Sequence, residues 1–541
     1  MTTSPERFTA AERALLAPYV TTTEGSVFAL TNLPEVIKGA LFSRYSRSTL
    51  GLRRLLLKEF ISADEAAFAD IAGGGPGGDD PLAAAQAAHL AVQRAQDFYD
   101  RILDGYGDDS IGELGGAHVA LEDVSMIATK VLEDARIGGS PLEKSTRYVS
   151  FAEQVDGDFR FYKEPALMAS PHRETYLGAC RALFETYRDL IEPLTAHVER
   201  LAPRAPGVSA AAWRRSVRAR VYDGLRGLLP ASTLTNMGVF GNGRFWEALT
   251  VRLRTAPLAE LRDLGAALHG ELNKVIPSFV RRGDPAHPHF AAQRDAEAAM
   301  ADLLAGRLPP DPPGAPPAPA EEEVRLVAHD PQAESRLLAA LAFPHSHLPL
   351  PELERWAAGL GPAAQARAFA ELADCRGNRR HKPPRALERV YYTFDLLGDF
   401  GMYRDLHRHR MLTQMRQPLT TRHGYALPEE VAEAGLAPRY EAVLARAAEA
   451  FEAIHADFPL QAQYVVPMAC RIRWFLHVNL RALIWLVELR SSPQGHPAYR
   501  RTAQALYRRV AAAHPAFAPL FRFVDLEAHA LGRLGAEQRR A

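Results

Sequence analysis

The sequence predicts an α+β protein built from two tandem, helix-rich domains of related sequence, each with a small sheet. Three observations support this prediction: an internal repeat, a Pro-rich segment between its two copies, and a short apolar strand ahead of a helix in each half. A chain of 541 residues is also too long for one ordinary hydrophobic core. We therefore expect a first domain at 1–305, a Pro- and Ala-rich linker at 306–323, and a second domain at 324–541.

The internal repeat is clearest late in each half, where a Pro is followed by an Asn and then by a helix. The first copy has Pro230 and Asn242, and the second has Pro467 and Asn479 at the same interval. After Asn479 the apolar residues recur at the spacing of one buried helix face, and the segment ends at Arg490. Because polar residues persist while apolar ones change, the repeat indicates a duplicated unit.

The start of each half and the segment between them complete the prediction of two domains. Short strands are expected at 27–30 and 324–328, each leading into a helix that begins near Pro34 or Pro331. Repeated Pro within 308–324 excludes regular helix or sheet and favours an extended spacer.

The run Arg408-His409-Arg410 is the most informative functional feature. Guanidinium groups donate paired hydrogen bonds to phosphate oxygens, and a neighbouring His adds a donor or a ring surface. A single run of this kind usually belongs to a solvated face. Together with the repeat, it indicates a site for a phosphate-bearing ligand.

These residues resemble the signature of the flavin-dependent thymidylate synthases, which joins an Arg-His-Arg triplet to a Ser, an Asn-Glu pair, a second Ser and an Arg-Tyr pair. The second half keeps the triplet and loses most of the rest, with Met415-Arg416 in place of Asn-Glu. The first half loses the triplet and keeps Ser140, Glu143, Ser145, Arg147 and Tyr148.

A later motif of this family is divided between the halves in the same way. Arg226 precedes the Leu-Pro of the first half, whereas Gln463 stands there in the second. Arg490 ends the later helix in register, whereas the first half has Leu253 in that register, beside Arg254. The two halves look like complementary remnants of the family's motifs, because each keeps residues that the other has lost.

The resemblance implies an FAD-dependent, thymidylate synthase-like methyltransferase that converts dUMP to dTMP by reductive methylation, with NADPH and methylenetetrahydrofolate as co-substrates. Arg490, and more weakly Arg254, would be the catalytic residues that act on the uracil ring. The implied substrate-binding residues are Ser140, Glu143, Ser145, Arg147, Tyr148 and Arg226. The implied cofactor-binding residues are Asn242, Arg244, Arg408, His409, Arg410, Asn479 and Arg481.

In this family each active site is shared between subunits of a tetramer. The resemblance therefore implies one composite site. The first half gives it residues such as Arg147 and Arg226, and the second half gives it Arg408-His409-Arg410 and Arg490. A homodimer of this chain would then be equivalent to the family's tetramer. Two alternatives stay open: a catalytically altered or inactive homologue that binds flavin or nucleotide, and a flavoenzyme that acts on another pyrimidine nucleotide.

The composition limits the kinds of molecule that the chain is expected to bind. The chain has 64 Lys and Arg against 64 Asp and Glu, and this neutral balance argues against nucleic acid or a membrane surface as a general partner. Its three cysteines have no disulfide-framework spacing, which fits a cytoplasmic protein, and each is expected to be buried. We predict no metal site, because His and Cys residues lack ligand spacing, and no cysteine nucleophile.

Overall fold

The computed structural model describes residues 7–46, 48–61, 109–304, 306–308, 323–529 and 531–540. Most of the predicted linker 306–323 lies outside the described residues. The chain forms two compact units: the first comprises 1–121, 137–142 and 237–309, and the second comprises 122–136, 143–236 and 310–541. Both halves of the sequence therefore contribute to the second unit, and the tandem boundaries at 305 and 324 stay a prediction about the duplicated sequence.

Helices make up most of the described residues of each unit. Those of the first unit are Ala10–Leu16, Glu35–Tyr45, Leu52–Leu55, Gly243–Thr255, Ala259–Leu272 and Pro288–Leu304, with a π-helical turn at Leu56–Ile61 and 3-10 turns at Asp109–Glu113, Pro277–Phe279 and Arg281–Gly283. Those of the second unit are Met126–Glu133, Pro165–Met168, Arg173–Leu201, Ala210–Leu225, Ala333–Ala342, Leu350–Gly359, Pro362–Asp374, Phe400–Leu406, Glu429–Glu433, Ala437–His455, Leu480–Arg490, Pro497–Ala513 and Leu534–Arg540. Its 3-10 turns are Arg226–Leu228, Phe343–His345, Arg385–Arg389, Gln461–Val465 and Pro515–Leu520.

The described part of the chain has nine strands, of two to ten residues. They are β1 (Gly116–Ser125), β2 (Gly139–Glu143), β3 (Gln154–Val155), β4 (Asp158–Phe159), β5 (Leu234–Asn242), β6 (Val324–His329), β7 (Tyr391–Asp399), β8 (Thr413–Arg416) and β9 (Arg471–Asn479). They form sheets in the orders β1-β5-β2, β3-β4 and β6-β7-β9-β8. The predicted α+β class, helix-rich with small sheets, is confirmed.

The opening strand predicted at 27–30 is wrong. Leu30 makes only an isolated bridge with Val20, and Val27 is 88% exposed. Residues 27–29 pair with no strand, so the apolar run alone was not enough to form one. Its counterpart in the second half is confirmed as β6, which pairs antiparallel with β7.

The two halves repeat one succession of elements. In each, a strand leads directly into a short helix, a second strand and a long helix follow, and a nine-residue strand then ends at an Asn. The side chains of Asn242 and Asn479 accept hydrogen bonds from the backbone N–H of Phe245 and Ala482, at 2.8 and 2.9 Å. Both Asn residues are therefore N-caps, which explains why they recur at one interval.

The core of the second unit lies against one face of its four-stranded sheet. Strands β7 and β9 pair antiparallel from Tyr391 opposite Asn479 to Asp399 opposite Arg471. The buried face includes Phe394 and Trp474, which are 0% and 2% exposed. Alternate residues face away from this core, as the two-residue period of a strand requires.

Within the second unit, the Leu229-Pro230 segment of the first half pairs with the Val466-Pro467 segment of the second. Ala231 N–H donates to the carbonyl of Val466 at 2.8 Å, and Met468 N–H donates to the carbonyl of Leu229 at 2.9 Å. Pro230 and Pro467 face each other in an antiparallel bridge. Each bond is matched by its equivalent in the other repeat, so the pairing has the reciprocity of an isologous dimer contact.

Candidate functional site

Asp405 lies at the centre of a buried cluster in the second unit. It belongs to the helix Phe400–Leu406, whose N-terminus is capped by Asp399, and its side chain is 4% exposed. One carboxylate oxygen accepts from Arg226 Nη1 at 2.9 Å and the other from Arg408 Nη2 at 2.7 Å. Burial acts to raise the pKa of Asp405, but the surrounding guanidiniums hold it well below its usual range. The first and second halves thus meet at one carboxylate.

Asp223 is the second buried carboxylate of the cluster. Arg147 binds it through two parallel hydrogen bonds of 2.7 Å, from Nε and Nη2. Arg533 reaches the same carboxylate from Nη2 at 3.3 Å. Burial opposes ionisation of Asp223, yet Arg147 and further cations hold its pKa well below the usual range. The carboxylate is therefore shared by guanidiniums from opposite ends of the chain.

Tyr499 connects Arg147 with Arg490. The Tyr499 hydroxyl accepts from Arg147 Nη1 at 2.7 Å, and the Arg490 guanidinium lies 5.5 Å from the centre of the Tyr499 ring. Arg490 Nε donates to Nε2 of His409 at 2.9 Å. Burial, together with Arg490 and Arg408, holds the pKa of His409 well below its usual range, so the imidazole is neutral and can accept this bond.

The cluster carries excess positive charge. Its five guanidiniums are Arg147, Arg226, Arg408, Arg490 and Arg533, and its two carboxylates are Asp223 and Asp405. Asp399 also faces Arg226, but burial raises the pKa of its carboxyl group, so it offsets less of the charge. Because an uncompensated buried charge is unfavourable, this arrangement favours an anionic ligand.

A large cavity borders the cluster. Its volume is about 840 Å³, within the range of small-molecule sites, and its lining includes Arg226, Asp223, Tyr440 and Arg533. Arg226 Nη2, Arg533 Nη1 and the Tyr440 hydroxyl are buried and have no hydrogen-bond partner among the described residues. Buried polar groups are almost always paired, so these atoms indicate a place for a bound molecule.

A second buried ionic network joins the halves within the second unit, and its carboxylates Glu133 and Glu143 also help to raise the pKa of Arg408. Glu143 accepts from Lys130 Nζ at 3.1 Å and from Arg404 Nη2 at 2.5 Å. Glu133 is paired with the same Lys130 and with His407. Burial raises the pKa of Glu133, but Lys130 and His407 lower it to about 2. Glu143, predicted to bind substrate, therefore lies inside an ionic network of the protein itself.

Several other predicted site residues already have protein partners. Ser145 Oγ accepts from the N–H of Arg147 at 3.2 Å, and Tyr148 lies under the Arg533 guanidinium, 4.5 Å from it. Arg481 donates to the carbonyl of Pro383 and to Glu388, at 2.9 and 2.6 Å. Arg410 is exposed and follows buried His409.

The remaining predicted residues belong to the first unit. Ser140 is exposed on β2, and Asn242 is the N-cap described above. Arg244 forms an exposed ion pair with Glu113 at 2.8 Å. Arg254 donates to the carbonyl of Gly283 at 3.1 Å and stacks over Phe290.

Sequence reasoning missed Asp223, Asp405, Tyr499 and Arg533. A signal existed for two of them, because Asp223 precedes Arg226, and Asp405 precedes Arg408, by the three residues that place side chains on one helix face. Tyr499 and Arg533 carry no such signal. They join the cluster through tertiary packing.

The cysteines lie outside this cluster. Cys180 and Cys470 are buried as predicted, and burial raises the pKa of each thiol to about 12, but Cys375 is exposed, so that prediction is wrong for it. Cys375 ends a helix with its side chain towards solvent. Within the described ranges, no group of His, Cys, Asp and Glu side chains could hold a metal ion. No described helix has the length and apolar character of a membrane span.

A sequence model of the family described as "thymidylate synthase complementing protein" matches residues 77–278 and 325–516. The chain belongs to this family. The two matched regions fall on either side of the Pro-rich segment, as expected for a member with a duplicated family sequence. The predicted resemblance to this group of proteins is confirmed.

Three proteins match this chain over almost the whole of their length and of its own. It is 47% identical to a UPF0159 protein of Chlamydia muridarum, over 98% of both chains, and 47% identical to one of Chlamydia pneumoniae, over 99% of this chain and 98% of the relative. A UPF0159 protein of Thermoplasma acidophilum is 32% identical over 93% of this chain and 98% of its own. The flavin-dependent thymidylate synthase ThyX of Helicobacter pylori, solved with FAD and dUMP, is 17% identical over 38% of this chain and 100% of its own, with a TM-score of 0.28.

Proposed function

We propose that the chain catalyses flavin-dependent reductive methylation of dUMP to dTMP, with methylenetetrahydrofolate as the one-carbon donor and NADPH as the source of electrons. Membership of the thymidylate synthase complementing protein family supports the class of reaction. The observation that carries the proposal is the buried cluster in which guanidiniums from both halves share Asp223 and Asp405. This cluster supports the composite site that the complementary motifs predict.

The excess positive charge would hold the nucleotide phosphate. Arg226 is better placed for this than Arg147, because Arg226 lines the cavity and its Nη2 has no hydrogen-bond partner among the described residues. All three guanidinium nitrogens of Arg147 already donate, to Asp223, Tyr499 and the carbonyl of Gln494. Arg147 would therefore fix the positions of Asp223 and Tyr499, and Arg226 would contact the phosphate.

Arg490 would stabilise negative charge that develops on the uracil ring during transfer of the methylene group. Its position is fixed before substrate binds, by the bond to His409 and by the ring of Tyr499. Donors held in place in this way need no reorganisation at the moment of reaction, and they stabilise developing charge most effectively. None of the three cysteines lies in the cluster, which fits a route without a cysteine nucleophile.

Arg408, His409 and Arg410 fit a flavin diphosphate. The two guanidiniums are exposed and flank a buried imidazole, so they can present donors to an anion on the protein surface. When bound, FAD would supply the hydride that reduces the transferred methylene group. The protein residues would position the reactants.

The test is a pair of charge-removing variants, one in each half. Arg147→Ala and Arg408→Ala should each lower turnover of dUMP by at least about 100-fold, because each disrupts the same positioned cluster. Exposed Arg188 and Arg439 supply matched controls, as Arg188→Ala and Arg439→Ala. Variants that lost two different, separable activities would contradict a composite site.

A second function is favoured by the incomplete signatures. Neither half keeps the whole motif, and Arg408 is already paired with Asp405. A protein that binds flavin or nucleotide without turnover would have these properties. A visible spectrum with bound flavin that shifts when dUMP is added, but with no dTMP formed after folate and NADPH are supplied, would select this function.

A further inference from the structure

The C-terminal segment forms part of the cavity wall, although it lies beyond the second region matched to the family, 325–516. Residues 526–529 and 531–533 line the cavity. The following helix, Leu534–Arg540, is anchored to the helix Ala210–Leu225 by an ion pair of 2.8 Å between Arg215 and Glu537. The segment is therefore held in place by contacts of its own.

We propose that Arg533 is an anion-binding residue of this cavity and that, together with Arg226, it holds the phosphate of a phosphate monoester. Arg533 is 7% exposed, yet its hydrogen bonds are long, at 3.3 Å to Asp223 and 3.4 Å to the carbonyl of Gln494, and its guanidinium otherwise lies over the ring of Tyr148 at 4.5 Å. The shorter bonds of Asp223 go to Arg147. Arg533 is thus a buried cation with little compensation from the protein.

The open donors of Arg533 and Arg226 define the chemistry of the ligand. Arg533 Nη1 and Arg226 Nη2 are both buried, belong to side chains that line the cavity, and lack partners among the described residues. A phosphate monoester presents several acceptor oxygens and a charge near −2, so one group can accept from both guanidiniums. A nucleoside would occupy the rest of a cavity of about 840 Å³.

This inference rests on the proposed function only in the choice of dUMP as the first ligand to test. Another phosphate monoester would satisfy the same two guanidiniums. The role of Arg533 therefore holds or fails separately from the identity of the base.

The experiment compares binding of dUMP, UMP, inorganic phosphate and deoxyuridine to the full-length protein with its flavin, by isothermal titration calorimetry. Arg533→Gln should weaken dUMP binding by about 10- to 100-fold, as expected for loss of a hydrogen bond to a charged group. Binding of deoxyuridine, which has no phosphate, should not change. Arg533→Lys should recover part of the affinity because it restores the charge.

The control is Arg539→Gln, which removes an exposed Arg from the helix that follows Arg533. It should bind each compound like the unaltered protein. Equal losses of dUMP and deoxyuridine in Arg533→Gln would show a purely structural role and overturn the inference. Unchanged dUMP affinity in Arg533→Gln, or an unaltered protein that binds no phosphate compound, would also overturn it.

Different results would contradict the proposed function and the proposed role of Arg533. If UMP or inorganic phosphate binds through Arg533 while dUMP does not bind, the role of Arg533 stands and dUMP is excluded as the substrate. If dUMP binds and Arg533→Gln leaves its affinity unchanged, the proposed substrate stands and the role of Arg533 is excluded.

Discussion

Asp405 shows how one residue can combine two halves of a chain into one site. Arg226 from the first half binds one of its oxygens, and Arg408 from the second half binds the other. The carboxylate therefore fixes the spacing of both guanidiniums. Its loss would remove this carboxylate from the buried Arg226 guanidinium and from the partly exposed Arg408 guanidinium.

Asp405→Asn should lower the free energy of unfolding by about 3–5 kcal/mol, the usual effect of removing one partner from a buried ion pair. Urea denaturation at pH 7 measures this change. Asp189→Asn is a matched control, because Asp189 pairs with Arg188 at a solvent-exposed position. A loss no larger than that of the control would show that the two guanidiniums find other partners.

The buried carboxylates of the second unit predict how the free energy of unfolding depends on pH. The folded-state pKa values of Asp405, Asp223 and Glu133 all lie below those of unfolded chains, which are near 4. The unfolded state then binds more protons as the solution is acidified, so the stabilisation present above about pH 4 is lost as pH falls. Unfolding free energies measured from pH 7 to pH 3 should decline most steeply below pH 4, and less steeply in Asp405→Asn.

Tyr499→Phe tests the connection between Arg147 and Arg490 without removing the ring. It should destabilise the protein by about 1–3 kcal/mol, because Arg147 Nη1 loses a buried acceptor. It should also lower turnover if the hydroxyl keeps the cluster in position. Tyr507→Phe serves as the control, since no hydrogen bond of its hydroxyl is found in the described part of the chain. Thermal unfolding and turnover by the two variants give the comparison.

At the scale of secondary-structure elements, the sequence predicts best those features that depend only on neighbouring residues. The interval from Pro to Asn was visible because a strand of fixed length leads into a helix that needs an N-cap. The strand expected at 27–30 failed because forming it depends on distant residues to cover it. Glu143 could not be interpreted from sequence, since its partners Lys130 and Arg404 come from two other helices.

Asn479 separates a structural role from the predicted cofactor-binding role. Asn479→Ala should lower the unfolding free energy by about 1 kcal/mol, because the N–H of Ala482 loses its cap, whereas Asn479→Ser should keep most of the stability. Chemical denaturation and flavin titration of both variants form the test. If Asn479→Ser is fully stable but no longer binds flavin, the Asn amide contacts the cofactor in addition to its capping role.

At the scale of the whole molecule, the duplicated sequence predicts one nucleotide site per chain. The repeat positions equivalent to Arg226 and Arg490 hold Gln463 and Leu253, and those of the Arg-His-Arg triplet hold Ala135, Arg136 and Ile137. The second copy of the site thus lacks most of the guanidiniums that we propose to contact the nucleotide and the flavin. Equilibrium dialysis with dUMP should give one bound nucleotide per chain, and a value of two would contradict this prediction.

The reciprocal pairing at Pro230 and Pro467 affects how the two halves can evolve and how they stay associated. In a symmetric assembly of identical subunits, every substitution is made in both copies, so a residue useful on one side must be tolerable on the other. Here both partners belong to one polypeptide, and each can specialise alone. Their encounter is also intramolecular, so dilution that would separate independent halves leaves this contact in place.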